Sequence, residues 1–60
     1  MYVIIILVII AGRPHPPFQW HERYATYADC RNAIPEVAVH FEPEEGVTKD
    51  FDCIREERGA

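Results

Sequence analysis

The chain has no apolar segment long enough to cross a membrane as a helix. Its opening run, Tyr2–Ile10, is nine residues of which seven are Ile or Val, and Gly12, Arg13 and three prolines then stop it. A spanning helix needs about 20 apolar residues; coiled, residues 2–11 would reach only about 15 Å. A secretory signal is also poorly supported. Only Met1 and Tyr2 precede the run, so no basic residue leads it, and the small residues Ala11 and Gly12 stand side by side rather than alternating. There is no C-x-x-C, so neither a zinc ribbon nor a thioredoxin-type site is indicated. His15, His21 and His40 match no compact ligand spacing with the two cysteines, and no metal or other cofactor is expected. Nothing in the pattern places either cysteine beside an imidazole as a nucleophile, and an enzyme is not expected.

A basic excess is missing too. Ten acids stand against six bases, for a net charge of −4, which argues against a nucleic-acid binder with a basic face. The acids are uneven: six Glu and two Asp lie from Glu36 to Glu57, whereas the first 28 residues hold only Glu22. The simplest reading of that second half is a solvated face.

What is present fits one small globular domain. Sixty residues, 48% hydrophobic and 27% charged, do not suggest disorder. A chain of this length buries roughly 60% of its unfolded surface, so its core is marginal. A disulfide, a metal or a partner subunit usually adds to it.

The Ile/Val run reads as a strand, residues 2–11. Branched side chains are stiff at χ1 and suit a pleated surface. An unbroken apolar run, without alternation, places the strand at the centre of a sheet with both faces covered. Residues 12–17 hold Pro14, Pro16 and Pro17 and read as a stiff loop. Residues 18–24 alternate, with Phe18, Trp20, Glu22 and Tyr24 on one face, as in an edge strand with one wet side. A helix is expected over 27–42, capped by Thr26, with Asp29 three residues on resembling a capping box. Tyr27, Cys30, Ile34, Val37, Ala38 and Phe41 fall on one face of it. Pro35 is expected to kink or break it, at a cost of about 3 kcal/mol, and Gly46 to stop it. Alternation of Val37, Val39 and Phe41 also allows a strand there; the helical stripe keeps its phase across Pro35 and is preferred. Residues 48–54 read as the last strand and 55–60 as a polar tail.

The fold expected is α+β, a single ββαβ domain. Its three-stranded antiparallel sheet has order 2-1-3, with one helix on one face. One helix roofs one face, yet the central strand is apolar on both. The bare face, widened by aromatics of the flanking strands, would expose an apolar patch on the order of several hundred Å², which soluble monomers rarely carry. The candidate interface is Ile4, Ile5, Ile6, Leu7 and Val8 with Trp20 and Tyr24. The expected partner is a second copy or another protein, with nucleic acid and membrane as weaker options. Trp20, Arg23 and Tyr24 could stack on a single strand, and the competing reading is that Trp20 and Tyr24 complete the core. A targeting role for residues 1–11, making a secreted or tethered peptide, is the main alternative. A cytoplasmic location is slightly favoured over a secreted one.

Cys30 falls on the apolar face of the helix and Cys53 on the last strand, so the fold could bring the sulfurs together. A bridge would close 24 residues and contribute roughly 3–4 kcal/mol; two buried reduced thiols are the other outcome.

Tyr24, Thr26, Cys30 and Ala33 spell a Y-x-T-x-x-x-C-x-x-A helix start, and Cys53 is a late strand cysteine. With the aliphatic opening strand, this resembles a loose group of small uncharacterised bacterial and phage proteins. The resemblance implies a ββαβ fold and paired cysteines, and no activity. Pro35 and Pro43 depart from the smooth helix of that group.

Overall fold

The computed structural model describes residues 1–56. Its elements run β1 (Tyr2–Ile10), β2 (Arg13–Pro14), β3 (Phe18–Tyr24), α1 (Tyr27–Ala38) and β4 (Val47–Arg55). All sheet pairs are antiparallel, with β1 at the centre. β4 pairs along the whole of β1, from Tyr2↔Arg55 to Ile10↔Val47. β3 pairs with residues 2–6 of β1 on the other edge, and β2 continues that edge opposite Ile9 and Ile10. The fold is thus α+β with the three main strands in the expected order.

The chain turns between β1 and β2 on Ala11 and Gly12 alone, both at positive φ, 51° and 77°. Two such residues make the tight hairpin whose twist matches that of its strands. The stretch 12–17 is therefore not a plain loop: Arg13 and Pro14 belong to the sheet, and β1 ends at Ile10 rather than Ala11. Pro14 is tolerated because of its register. It lies opposite Ile9, between the closing pair Ile10↔Arg13 and the bond from His15 N–H to the Val8 carbonyl at 2.9 Å. In an antiparallel ladder that is the position whose N–H points away from the partner strand.

β3 carries an irregularity. Between the pairs Val3↔Arg23 and Ile5↔Gln19, β1 has Ile4 alone while β3 has Trp20, His21 and Glu22. The extra residues bend the edge strand there.

Thr26 caps α1, its hydroxyl accepting the Asp29 backbone N–H at 3.0 Å. The helix runs through Pro35 as one element, so the expected break does not occur. Ile34 and Val37 pack on the sheet on either side of it, and the exposed Pro35 sits on the wet face. The helix ends at Ala38, four residues short of the expected end, and the alternative strand does not form. Tight turns follow, with His40 N–H bonded to the Val37 carbonyl and Phe41 N–H to that of Ala38, each at 3.1 Å. Pro43 disfavours helical backbone at Glu42, so the helix does not reach its expected end. Gly46, at φ 79°, is not the helix stop. It turns the chain into β4, and its carbonyl accepts the Ala11 N–H at 2.8 Å.

Ile4, Ile6, Cys30, Val37 and Cys53 form the buried centre between helix and sheet. Tyr2, Val8, Trp20, Tyr24, Phe41 and Phe51 pack around it. Cys30 and Cys53 are joined as a disulfide, their Cα atoms 6.2 Å apart. Arg55 and Glu56 are not part of a tail: Arg55 lies in β4, and Glu56 N–H bonds to the Met1 carbonyl at 2.8 Å. The remainder of the expected tail lies outside the described residues.

Candidate association surface

Alternation along β1 divides its side chains between the two faces. Ile4, Ile6 and Val8 lie in the helix-covered core. Val3, Ile5, Leu7 and Ile9 therefore point to the opposite face, which no helix covers. The register supplies their neighbours. Arg23 and Gln19 of β3 stand beside Val3 and Ile5. On the other side Ile54, Asp52, Asp50 and Thr48 of β4 stand beside Val3, Ile5, Leu7 and Ile9 in turn.

The two ends of this face differ. Val3 is only 1% exposed although no helix lies over it. The cause is an ion pair. Arg23 Nε reaches both carboxylate oxygens of Glu56, at 2.8 and 2.9 Å. Arg23 starts beside Val3 and Glu56 lies beside Met1, so the pair spans β1 from one outer strand to the other. Beyond this strap, Ile5, Leu7 and Ile9 are half-buried by their own neighbours. Ile54 is 45% exposed and Met1 55%.

The structure divides the expected interface. Ile4 and Ile6 are fully buried under the helix, and Val8, Trp20 and Tyr24 pack around the same core, so these five do not belong to the open face. Ile5 and Leu7 do. The aromatics expected to widen the face lie on the helix side: Phe18 and Phe51 both pack against Phe41. Ile9, Ile54 and Met1 belong to the face and were not singled out from sequence. Their signal was the odd-numbered alternation of β1 and the single Ile following Cys53.

Trp20 is wedged on the helix side between two imidazoles, 4.5 Å from His21 and stacked at 5.6 Å on His40. Tyr24 donates its hydroxyl to Glu22 Oε2 at 3.3 Å. Partial burial, and then the neighbouring Glu22 carboxylate, push its phenol above the usual value of 10.0. Past the end of α1, an open hollow of about 220 Å³ is lined by Phe41, Pro43, Val47 and Phe51, with Lys49 donating to the Glu42 carbonyl at 3.3 Å. It is smaller than the pockets that usually enclose small-molecule ligands. Among the described residues, no three His, Cys, Asp or Glu side chains gather as metal ligands. No helix among them is long and apolar enough to cross a membrane.

Comparison of the chain with protein-family models, curated proteins and solved structures finds no match. The likeness to small bacterial and phage proteins rests on the residues quoted for it alone.

Proposed function

We propose that this protein is a non-enzymatic association module that works as a homodimer through its open sheet face. One observation carries the reading. The central strand is aliphatic on both faces, and α1 roofs only the side of Ile4, Ile6 and Val8, leaving Ile5, Leu7 and Ile9 with Ile54 at their flank. Burying that stripe is favourable by roughly 25 cal/mol per Å². A two-fold dimer closes it with one self-complementary patch. The face is small, about 30 by 14 Å from strand length and spacing, below the usual ~800 Å² per partner. The dimer is accordingly weak and concentration-dependent.

The alternatives receive less support. Removing residues 1–11 as a targeting segment would remove the central strand and half of the buried core. Single-strand stacking would need Trp20 and Tyr24, which pack around that core. The disulfide favours an oxidising compartment.

Sedimentation equilibrium tests the proposal. The wild type is expected to approach twice the 7.0 kDa chain mass as concentration rises. Leu7→Lys, which points away from α1, is expected to stay monomeric with an unchanged far-ultraviolet circular dichroism spectrum. A wild type that remains monomeric at millimolar concentration would sink the dimer. A mass that rises only with another protein present would leave the face as an accessory-subunit surface instead.

A further inference from the structure

The outer edge of β4 has backbone groups without a partner among the described residues, and they stand between a hollow and two acids. The geometry points to a docking edge for an extended, basic segment of another protein, which pairs with Lys49 and Phe51 as an added antiparallel strand. The site lies on the edge of the sheet and not on its open face, so it holds whether or not the protein dimerises.

The ladder shows which groups are free. Glu56 N–H bonds to the Met1 carbonyl and Ala11 N–H to the Gly46 carbonyl. Between these ends β4 pairs with β1 residue for residue, and bonded positions alternate along an antiparallel pair. The even-numbered residues of β4 therefore turn their N–H and C=O groups toward β1, and the odd-numbered ones turn theirs outward. Two of the outward N–H groups are satisfied within the chain: Val47 N–H by the Glu44 carbonyl at 3.2 Å and Cys53 N–H by Asp52 Oδ1 at 2.9 Å. Arg31, from the helix side, also reaches around the edge toward Asp52 at 3.9 Å. Between these closures the N–H and C=O groups of Lys49 and Phe51 have no backbone partner among the described residues. In an antiparallel strand, one residue opposite Phe51 and another opposite Lys49 exchange two bonds each and use all four groups.

Side chains set the chemistry of that strand, because directly opposed residues share a face. Phe51 and Lys49 lie opposite Ile6 and Val8, and so on the helix side. There they line the hollow past the end of α1, with Phe41, Pro43 and Val47. Its lining includes no β1 residue, which places it over the border of the sheet. A residue opposite Phe51 is directed to that hollow and is apolar. On the other face the added strand has Asp50 and Asp52 as neighbours, both exposed. Asp50 has no ion pair among the described residues. The residues opposite the two acids are basic. The partner therefore alternates basic, apolar, basic, a strand addition in which main-chain bonds give affinity and alternate side chains give specificity. The β4 strand of a second copy does not fit, since it offers acids where bases are called for.

The probe is a blocked heptapeptide, acetyl-Thr-Lys-Val-Lys-Val-Lys-Thr-amide, titrated into the wild type and followed by NMR and amide hydrogen exchange. Without peptide, the Lys49 and Phe51 amides are expected to exchange quickly and those of Asp50 and Asp52 slowly. With it, Lys49 and Phe51 are expected to become protected, and the ring signals of Phe41 and Phe51 to shift. The same peptide with Glu in place of Lys is expected not to bind. Asp50→Asn is expected to weaken binding about twofold to fivefold, as for one exposed ion pair. Shifts confined to β3 or to the open face, equal binding of the Glu peptide, unchanged affinity in Asp50→Asn, or no protection at millimolar peptide would each overturn the proposal. So would protection of Lys49 and Phe51 that rises with protein concentration alone, which would assign the edge to a second copy.

Discussion

Ala11 shows how a single residue can carry strain that its neighbours do not reveal. It occupies left-handed backbone at φ 51°, the only non-glycine among the described residues with positive φ. For a residue with a Cβ this costs about 1–2 kcal/mol. The turn tolerates it because Ile10↔Arg13 must close over two residues and because the Ala11 N–H finds the Gly46 carbonyl. Asn enters this conformation more readily, and Asn-Gly is the preferred pair for such a hairpin. Ala11→Asn is therefore expected to stabilise the fold by about 0.5–1 kcal/mol, as judged by urea denaturation at unchanged m-value. A loss of stability would show that the Ala11 side chain contributes something the turn geometry does not. Val3 presents the opposite case, a residue on the bare face whose burial comes from the Arg23–Glu56 strap above it.

At the scale of elements, the disulfide is the principal tie between helix and sheet. Cys30 lies in the opening turns of α1, fully buried, and Cys53 lies on β4 opposite Ile4. The cross-link separates its ends by 23 positions and so closes a 24-residue loop. That loop contains the whole helix after its first turn and the return to β4. In the chain-entropy model the bridge contributes about 3–4 kcal/mol, comparable to what a core of this size supplies. Replacing both cysteines with Ala is expected to lower the unfolding free energy from urea denaturation by that amount or leave the chain unfolded at 37 °C, and reduction of the wild type under denaturing conditions should give the same end state. A variant that keeps the wild-type midpoint would show that packing of Val37 and Phe41 alone holds α1 in place.

The same scale shows how much was legible in the sequence. The central strand, the alternating edge strand, the Thr26 cap and the strand order follow from apolar patterning and capping chemistry, which are local. The register-dependent features were not legible. Pro14 reads as a loop residue until its position opposite Ile9 shows that no ladder bond is lost. Pro35 reads as a break until Ile34 and Val37 are seen holding both sides of it on the sheet. The division of the opening strand into two faces follows from the two-residue period of a strand. Which half lay under the helix depended on the pairing with β4, and so five of the seven candidate interface residues proved to be core.

At the scale of the whole molecule, the free edge of β4 presents a hazard distinct from the open face. Nine residues, Val47–Arg55, form a long outer strand of the sheet. Unpaired backbone groups along such an edge are a template for another chain. Val47, Thr48, Phe51 and Ile54 favour the strand conformation. Two copies pairing antiparallel about Phe51 would set Asp50 of each directly opposite Asp52 of the other, and pairing about Asp52 would set that carboxylate opposite itself. Like charges in directly opposed positions destabilise a strand pair, so the two acids guard the edge. Asp50→Asn with Asp52→Asn keeps the side-chain shapes and the acceptor for the Cys53 N–H while removing both charges. The double variant is expected to form higher oligomers or fibrils, followed by light scattering and thioflavin fluorescence. Raising the salt should move the wild type in the same direction, since screening weakens the repulsion between exposed carboxylates. A double variant that stays soluble and no larger than the wild type at high concentration would show that something other than these two charges keeps the edge closed to other copies.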